Sequence, residues 1–292
     1  MPVFDTPEPI SVIVELGAGD LRVVAGDRAD TVVEVRPSDP AKKADVTHAE
    51  QTRVEYAGGR LLIKAPKSWK RFTPLGGGES VDVQVELPAG SHLRGETGMA
   101  ALHSQGRLGD CRYKTGLGDI QLDQAAAVQL RTGMGDVAVE RAGGDAEVAT
   151  GSGSIRVDRV DGAAVVKNSN GDTWIGEVTG DLRVNAANGR ISVDRARDAV
   201  AARSANGAVR IGEVAHGAVV AQTALGKVEI GVRDGVAAWL DLHTRHGNVR
   251  NDLDATGRPG PGEDAVEVRA HTSFGDITIH RSVAGDSGKD HP

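Results

Sequence analysis

The chain has 292 residues, a formal net charge of −7 and a single cysteine, Cys111. Charge spread along the sequence without a single-sign block argues against a general nucleic-acid surface, and one cysteine excludes both an intramolecular disulfide and a cysteine zinc cluster. Aromatic residues are only 3% while glycines number 39, so the interior expected is narrow, filled by Val, Ile, Leu and Ala between tight turns.

From the amino terminus, the apolar run Ile10 to Leu16 has no basic flank and is too short for a signal peptide or a membrane span. The expectation is a soluble, cytoplasmic protein. Ile10 to Leu16 and Leu21 to Ala25 alternate apolar with other residues and read as two strands about a tight turn at Gly17-Ala18-Gly19-Asp20. Thr31 to Arg36 continues the pattern until Pro37-Ser38-Asp39-Pro40 breaks it, and Ala41 to Glu50 is a polar connection with helical character. Thr52 to Tyr56 and Arg60 to Ala65 flank Ala57-Gly58-Gly59, a hairpin turn. After a loop from Pro66 to Gly78, Val81, Val83, Val85 and Leu87 form an alternating strand that Pro88-Ala89-Gly90 stops. Residues 1–90 therefore read as an antiparallel β region that starts and caps a longer repetitive array.

Over residues 91–281 a short phrase returns about every 18 residues: TGLGDIQL from Thr115, TGMGDVAV from Thr132, TGSGSIRV from Thr150, NSNGDTWI from Asn168, SANGAVRI from Ser204 and TALGKVEI from Thr223. Each unit holds a glycine turn, a strand such as Val137-Ala138-Val139, a second turn and a second strand such as Ala146-Glu147-Val148. A strand with one apolar face cannot bury it alone, but it can pair in parallel with the equivalent strand one coil away. The prediction is an all-β fold: a parallel β-solenoid of two-strand coils, with equivalent residues stacked in rows. Thr97, Thr115, Thr132, Thr150, Asn168, Ser204, Thr223, Thr244 and Thr272 make one row, able to bond to turn backbone or to each other. Asn170, Asn188 and Asn206, each before glycine, make another, with Asn-Gly suited to positive φ. A Pro/Gly loop interrupts the repeats at 252–265, one more turn and strand follow in TSFGDITI from Thr272, and the small, polar residues 282–292 read as a disordered tail.

The repeated [ST]-x-x-G-[DNS]-[IV]-x-[IV], with Gly58 to Ile63 and Val85 to Gly90 before it, resembles the bacterial β-strand-repeat family labelled putative adhesin and called toastrack-like. The resemblance runs from about Ser11 to Ile279. It implies a parallel β-solenoid with an antiparallel start, and it brings no catalytic motif.

Several constellations are candidates for chemistry. Lys67, Trp69, Lys70, Arg71 and Phe72 interleave cations with aromatics in an otherwise acidic chain, a pattern that engages anionic surfaces or acidic partners; the alternative is that Trp69 and Phe72 fold back to cap the solenoid. Register places Lys114, Arg131, Lys167 and Arg203 outward as a basic row for phosphates or carboxylates, or as a solvated face. Asp119, Asp136 and Asp172 recur after glycine, but the row is broken by Arg190, Ala208 and Lys227 and lacks the calcium nonapeptide, so a turn-forming role suffices. His243 and His271 stack in adjacent coils with His246 nearby, and surface histidines are favoured over a metal site. Trp174 points outward between Arg156 and Ser192, a position suited to stacking on a sugar or packing under a partner. Phosphate-loop, dinucleotide and nucleophile-base signatures are absent, because the G-x-G strings join strand to strand rather than strand to helix.

The function expected is a non-catalytic scaffold or interaction module for a macromolecular partner, either a protein or an envelope polymer, with no cofactor, no metal and a monomer favoured. The alternatives are a carbohydrate-binding adhesin and an enzyme on the solenoid face.

Overall fold

The structure, a computed structural model, describes residues 1–66, 78–253 and 265–282. Among the described residues there are 25 strands and one helix, so the all-β expectation holds. Two compact units divide the chain: Met1–Gly143 with Val148–Gly151, and Gly144–Glu147 with Ser152–Pro292.

In the first unit, Ser11–Gly26 is a single strand rather than the two expected. Its first half pairs in parallel with Arg60–Lys64, its second half with Val81–Pro88, and its other edge with His92–Leu108. The supposed turn is thus a corner inside one strand. Gly19 makes it possible: at φ +132, any Cβ there would lie 1.8 Å from the Val81 carbonyl oxygen. The chain starts antiparallel, as predicted. Arg53–Ala57 lies on Arg60–Lys64 through Gly58 and Gly59, both at positive φ as a two-residue hairpin turn demands. Asp30–Pro37 lies on Val81–Pro88, and Val3–Asp5 on Asp30–Pro37. The polar connection is the helix Lys43–Gln51. Its buried Asp45 pairs with the helix's own N-cap Lys42 at 3.0 Å and ties the helix toward the sheet by accepting the Ser80 N–H at 3.2 Å. Coils then follow in register, Val128–Met134 on Cys111–Leu117 and Val137–Ala142 on Ile120–Ala125.

The second unit repeats the same logic. Ala164–Asn170 pairs with Leu182–Asn188, which pairs with Val200–Asn206, which pairs with Gly217–Leu225. The second strands pair likewise, Thr173–Val178 with Ile191–Ala196 and that with Val209–Val214. One coil turns Ala164, Val166, Asn168, Thr173, Ile175 and Val178 inward, all buried. Each aliphatic side chain taken out of water in this way contributes about 1.5–3 kcal/mol, an upper estimate against a compact unfolded chain. The core is thin but continuous within the unit.

The threonine row has a definite job. Thr223 Oγ1 donates to the Gly207 carbonyl at 2.9 Å, Thr272 Oγ1 to Gly226 at 3.0 Å and Asn168 Nδ2 to Gly153 at 3.1 Å. In the first unit Thr132 reaches Gly118 at 3.0 Å and Thr150 reaches Gly135 at 2.9 Å. An inward hydroxyl or amide therefore caps the corner carbonyl of the neighbouring coil, giving a part-buried acceptor a donor. The asparagine row is the turn ladder expected, with Gly171, Gly189 and Gly207 after each asparagine at positive φ. Among the described residues only glycines have positive φ, and the asparagine amides link the turns: Asn188 Nδ2 donates to Asn170 Oδ1 at 2.9 Å and Asn206 Nδ2 to Asn188 Oδ1 at 2.8 Å, an exposed amide ladder.

The last coils are out of chain order. Gly217–Leu225 pairs with Ala265–Phe274 and Val228–Val232 with Ile277–Arg281, while Ala237–His246 and Val249–Asn251 lie on the far side of that later coil. The stacking order of the row is consequently Thr223, Thr272, Thr244.

Candidate interaction surfaces

On the first unit, Lys114 and Arg131 are exposed neighbours in adjacent strands, as the register predicted. Arg94 and Arg112 lie two positions before Glu96 and Lys114 on the same outward face. Together with Gly95, Tyr113 and Gln129 these residues line an open depression of about 280 Å³. Four cations against one carboxylate make it basic in an acidic protein.

At the corner beside this face, the residue before the corner position, which is Ala100 and then Gly118 and Gly135, points to solvent. In successive coils of the first unit it is Met99, Leu117 and Met134, paired in register and 46%, 50% and 58% exposed. Sequence reasoning passed over this row, although the motif carries it: the third letter of TGLGDIQL and TGMGDVAV is a large apolar residue, where the next coils have Ser152, Asn170, Asn188 and Asn206 before Leu225 and Phe274 return to the apolar type. The row runs beside Gly98, Gly116 and Gly133, and the last two have no room for a side chain. A Cβ at Gly133 would lie 2.5 Å from the Gly116 carbonyl oxygen.

In the second unit, Lys167 and Arg203 flank Asn185 in register, and Arg203 Nε donates to Gln222 at 3.2 Å. Trp174 lies between Arg156 and Ser192, as predicted. The Arg156 guanidinium sits 4.1 Å from its ring centroid, a cation–π contact. The indole also extends over Gly176, where a Cβ would be 3.1 Å from Cη2. Burial raises the pKa of the Asp194 carboxyl, against a hydrogen bond from Trp174 and the charges of Arg210, Arg156 and Arg195 that lower it. Below that patch the rows alternate in sign: Arg159, Glu177, Arg195 and Glu213 pair in register, with Arg159–Glu177 at 2.9 Å and Arg195–Glu213 at 3.7 Å. Alternation keeps like charges from stacking on a parallel ladder.

His243 and His271 meet as the register predicted, with centroids 4.8 Å apart, but His246 stacks on Phe274 at 4.7 Å. The corner aspartates act between coils rather than within a turn. Asp119 Oδ1 accepts the Asp136 N–H and Asp172 Oδ1 the Arg190 N–H, both at 2.8 Å. Because the acceptor serves the next coil, the row tolerates Arg190 as its following member. Among the described residues no group of three or more His, Cys, Asp or Glu is placed to hold a metal ion, and no described helix is long and apolar enough to cross a membrane. Lys67, Trp69, Lys70, Arg71 and Phe72, with most of the Pro/Gly loop at 252–265 and nearly all of residues 282–292, lie outside the described residues.

Three solved structures align along nearly the whole chain. A putative cell adhesion protein from Clostridium sporogenes is 13% identical, covering 96% of this chain and 98% of its own, with a TM-score of 0.22. A putative adhesin from Bacteroides fragilis is 12% identical over 96% and 95%, with a TM-score of 0.34, and one from Parabacteroides distasonis is 14% identical over 95% of each, with a TM-score of 0.39. No curated protein sequence matches the chain. The sequence model described as Toastrack DUF4097 matches residues 11–280, the span over which the repeats, the corner glycines and the antiparallel start have just been traced, and the chain belongs to that family.

Proposed function

We propose that the protein is a non-catalytic interaction module that binds an extended macromolecular partner along the corner of its first unit. The observation that carries this reading is the in-register row Met99, Leu117 and Met134, exposed beside the basic depression of Arg94, Arg112, Lys114 and Arg131. Contiguous apolar side chains left in water mark interaction surfaces, and methionine and arginine are the types that interfaces favour over lysine and glutamate. A partner that fits presents apolar side chains at the spacing of successive coils, about 4.8 Å, with carboxylates or other anions on the side of the depression. The Lys67 to Phe72 loop is proposed as a second contact, from its composition alone.

The test is partner capture from the native host by the wild-type chain and by two triple variants, Met99→Ser/Leu117→Ser/Met134→Ser and Trp69→Ala/Lys70→Ala/Arg71→Ala. A partner held by the wild type and lost by the first variant supports the corner surface, and loss by the second adds the loop. A partner held equally by all three overturns both assignments.

A further inference from the structure

The second unit ends in an open strand. Ala237–His246 pairs along one edge with Ala265–Phe274, and among the described residues nothing pairs with its other edge. The strand is ten residues long, keeps register from Ala237 to Thr244, and contains neither proline nor lysine. Natural edge strands are blunted by such residues, by bulges or by shortness. Of the devices that blunt an edge it has only the charges of Asp241 and Arg245, and its inward Leu240 and Leu242 are only half-buried.

The outward residues of the edge are Trp239, Asp241, His243 and Arg245, all exposed, with Trp239 at 59%. Laid against its own reverse about Leu242, this row is self-complementary: Asp241 faces His243 and Trp239 faces Arg245, each pair occurring twice. The inward row sets Leu242 against Leu242 and Leu240 against Thr244. Backbone polarity agrees. The His246 carbonyl accepts the Gly275 N–H and so points to the inner neighbour. Alternation then turns the N–H and C=O groups of Asp241, His243 and Arg245 toward the free edge, where an antiparallel partner centred on Leu242 needs them.

We propose that this edge is a homodimer interface: two copies join their Ala237–His246 strands antiparallel about a two-fold axis at Leu242. The partner is a second copy of this chain because the charge and aromatic pattern complements itself in that register, which also uses the strand from Ala238 to His246. A two-fold contact is closed, so it ends the stack of strands instead of propagating it. This replaces the monomer favoured from the sequence, and it is independent of the corner surface on the first unit.

The experiment is sedimentation of the full chain over a range of concentrations, with cysteine cross-linking. A non-hydrogen-bonded antiparallel pair sets Cα atoms about 4.5 Å apart, within reach of a disulfide, and the native Cys111 is buried. The expected results are a concentration-dependent dimer, efficient oxidation of Leu242→Cys to a covalent dimer and little cross-linking of Leu240→Cys. Asp241→Arg raises the dimer dissociation constant at least tenfold, and the exchange Asp241→His/His243→Asp restores it with the thermal melt unchanged. A wild type that stays monomeric while Leu242→Cys fails to cross-link overturns the proposal. So does cross-linking of His243→Cys in preference to Leu242→Cys, or a monomer that dimerises only after residues 283–292 are removed, which assigns the edge to the chain's own tail.

Discussion

Gly95 and Tyr113, partners in adjacent strands, share one side chain's worth of space: a Cβ on Gly95 would lie 2.4 Å from Cδ2 of the Tyr113 ring. The glycine is what admits the bulkiest fully buried side chain among the described residues into a thin core. The phenol is held at both sides, accepting from Thr97 Oγ1 and donating to the Ala100 carbonyl, each at 3.1 Å. Burial pushes its pKa up to about 12 against the Thr97 hydrogen bond, which lowers it. Gly95→Ala is expected to cost about 1–3 kcal/mol by overpacking, and Tyr113→Phe about 1–2 kcal/mol through the lost hydroxyl. Urea unfolding of Gly95→Ala alone and combined with Tyr113→Leu separates the two effects. The double variant recovers part of the loss if the collision with the ring is the cause.

The corner glycines predict a contrast between two positive-φ sites. At Gly189, φ is +132 and a Cβ would sit 2.1 Å from the Gly171 carbonyl oxygen, whereas at Gly58, φ is +56 and nothing lies within 4 Å. Gly58→Ala therefore carries only the left-handed backbone penalty, about 1–2 kcal/mol. Gly189→Ala adds a clash with fixed backbone and is expected to cost more than about 4 kcal/mol. Equal thermal melts for the two variants would remove the steric account of the corner.

Capping of the corner carbonyls is testable with a near-isosteric change. Thr223→Val removes the hydroxyl that donates to Gly207 at 2.9 Å while keeping the buried volume. The expected loss is about 1–2 kcal/mol, since the part-buried carbonyl loses its donor. Serine at the same position keeps the donor and should lie nearer the wild type in the same denaturant series.

Residue by residue, the repeat was legible because its physics is local and periodic. Alternation put Val137 and Val139 inward, and both are buried. The period set Trp174 beside Arg156 and His243 beside His271, and the pairs meet. What escaped were features that depend on which segment neighbours which. Gly17 to Asp20 looks like a turn between strands, yet a corner of one long strand uses the same residues, and only the partner at Val81 distinguishes the two. The interchange of the final coils leaves no local mark, because Thr244 and Thr272 fit the same row in either order. The asparagine turn ladder was legible from its Asn-Gly pairs, whereas the amide-to-amide bonds between coils depend on which turn neighbours which. Leu117 and Met134 stand in the motif just before its recurring glycine, and Met99 joins their row before Ala100, so no shared neighbour marks the three together.

Asp45 predicts a pH effect on the amino-terminal cap. Burial alone would raise its pKa, but the hydrogen bond from Lys42 and the Ser80 N–H outweigh it, and the folded value lies below the ordinary 3.8. A carboxyl lowered on folding contributes stability above its unfolded pKa, and that contribution is lost as pH falls through the folded value. Asp45→Asn should therefore be less stable than the wild type at neutral pH, by about 1–3 kcal/mol. The gap should close below pH 3.8. Parallel unfolding curves across that range test it, and a gap that does not change with pH sinks the ionic explanation.

Cys111 should be silent in the folded protein. It is fully buried, and desolvation pushes its thiol up to about 12, so almost no thiolate forms near neutrality. A thiol reagent is expected to label the native chain only at the rate of unfolding, then one site per chain in denaturant. Rapid native labelling would contradict the burial.

The interchanged end coils also bear on how the molecule is made. A ribosome releases Ala237–His246 before Ala265–Phe274, and at that moment the edge of Gly217–Leu225 is vacant, offering the early segment the berth that the later one finally occupies. Both candidates bring a threonine to the same height, Thr244 or Thr272, so the first arrival fits well enough to linger. Completion then requires it to let go and re-dock outside the newcomer. The rest of the second unit can grow in the order of translation, whereas its last step is an exchange, and slow maturation of this protein should be localised there.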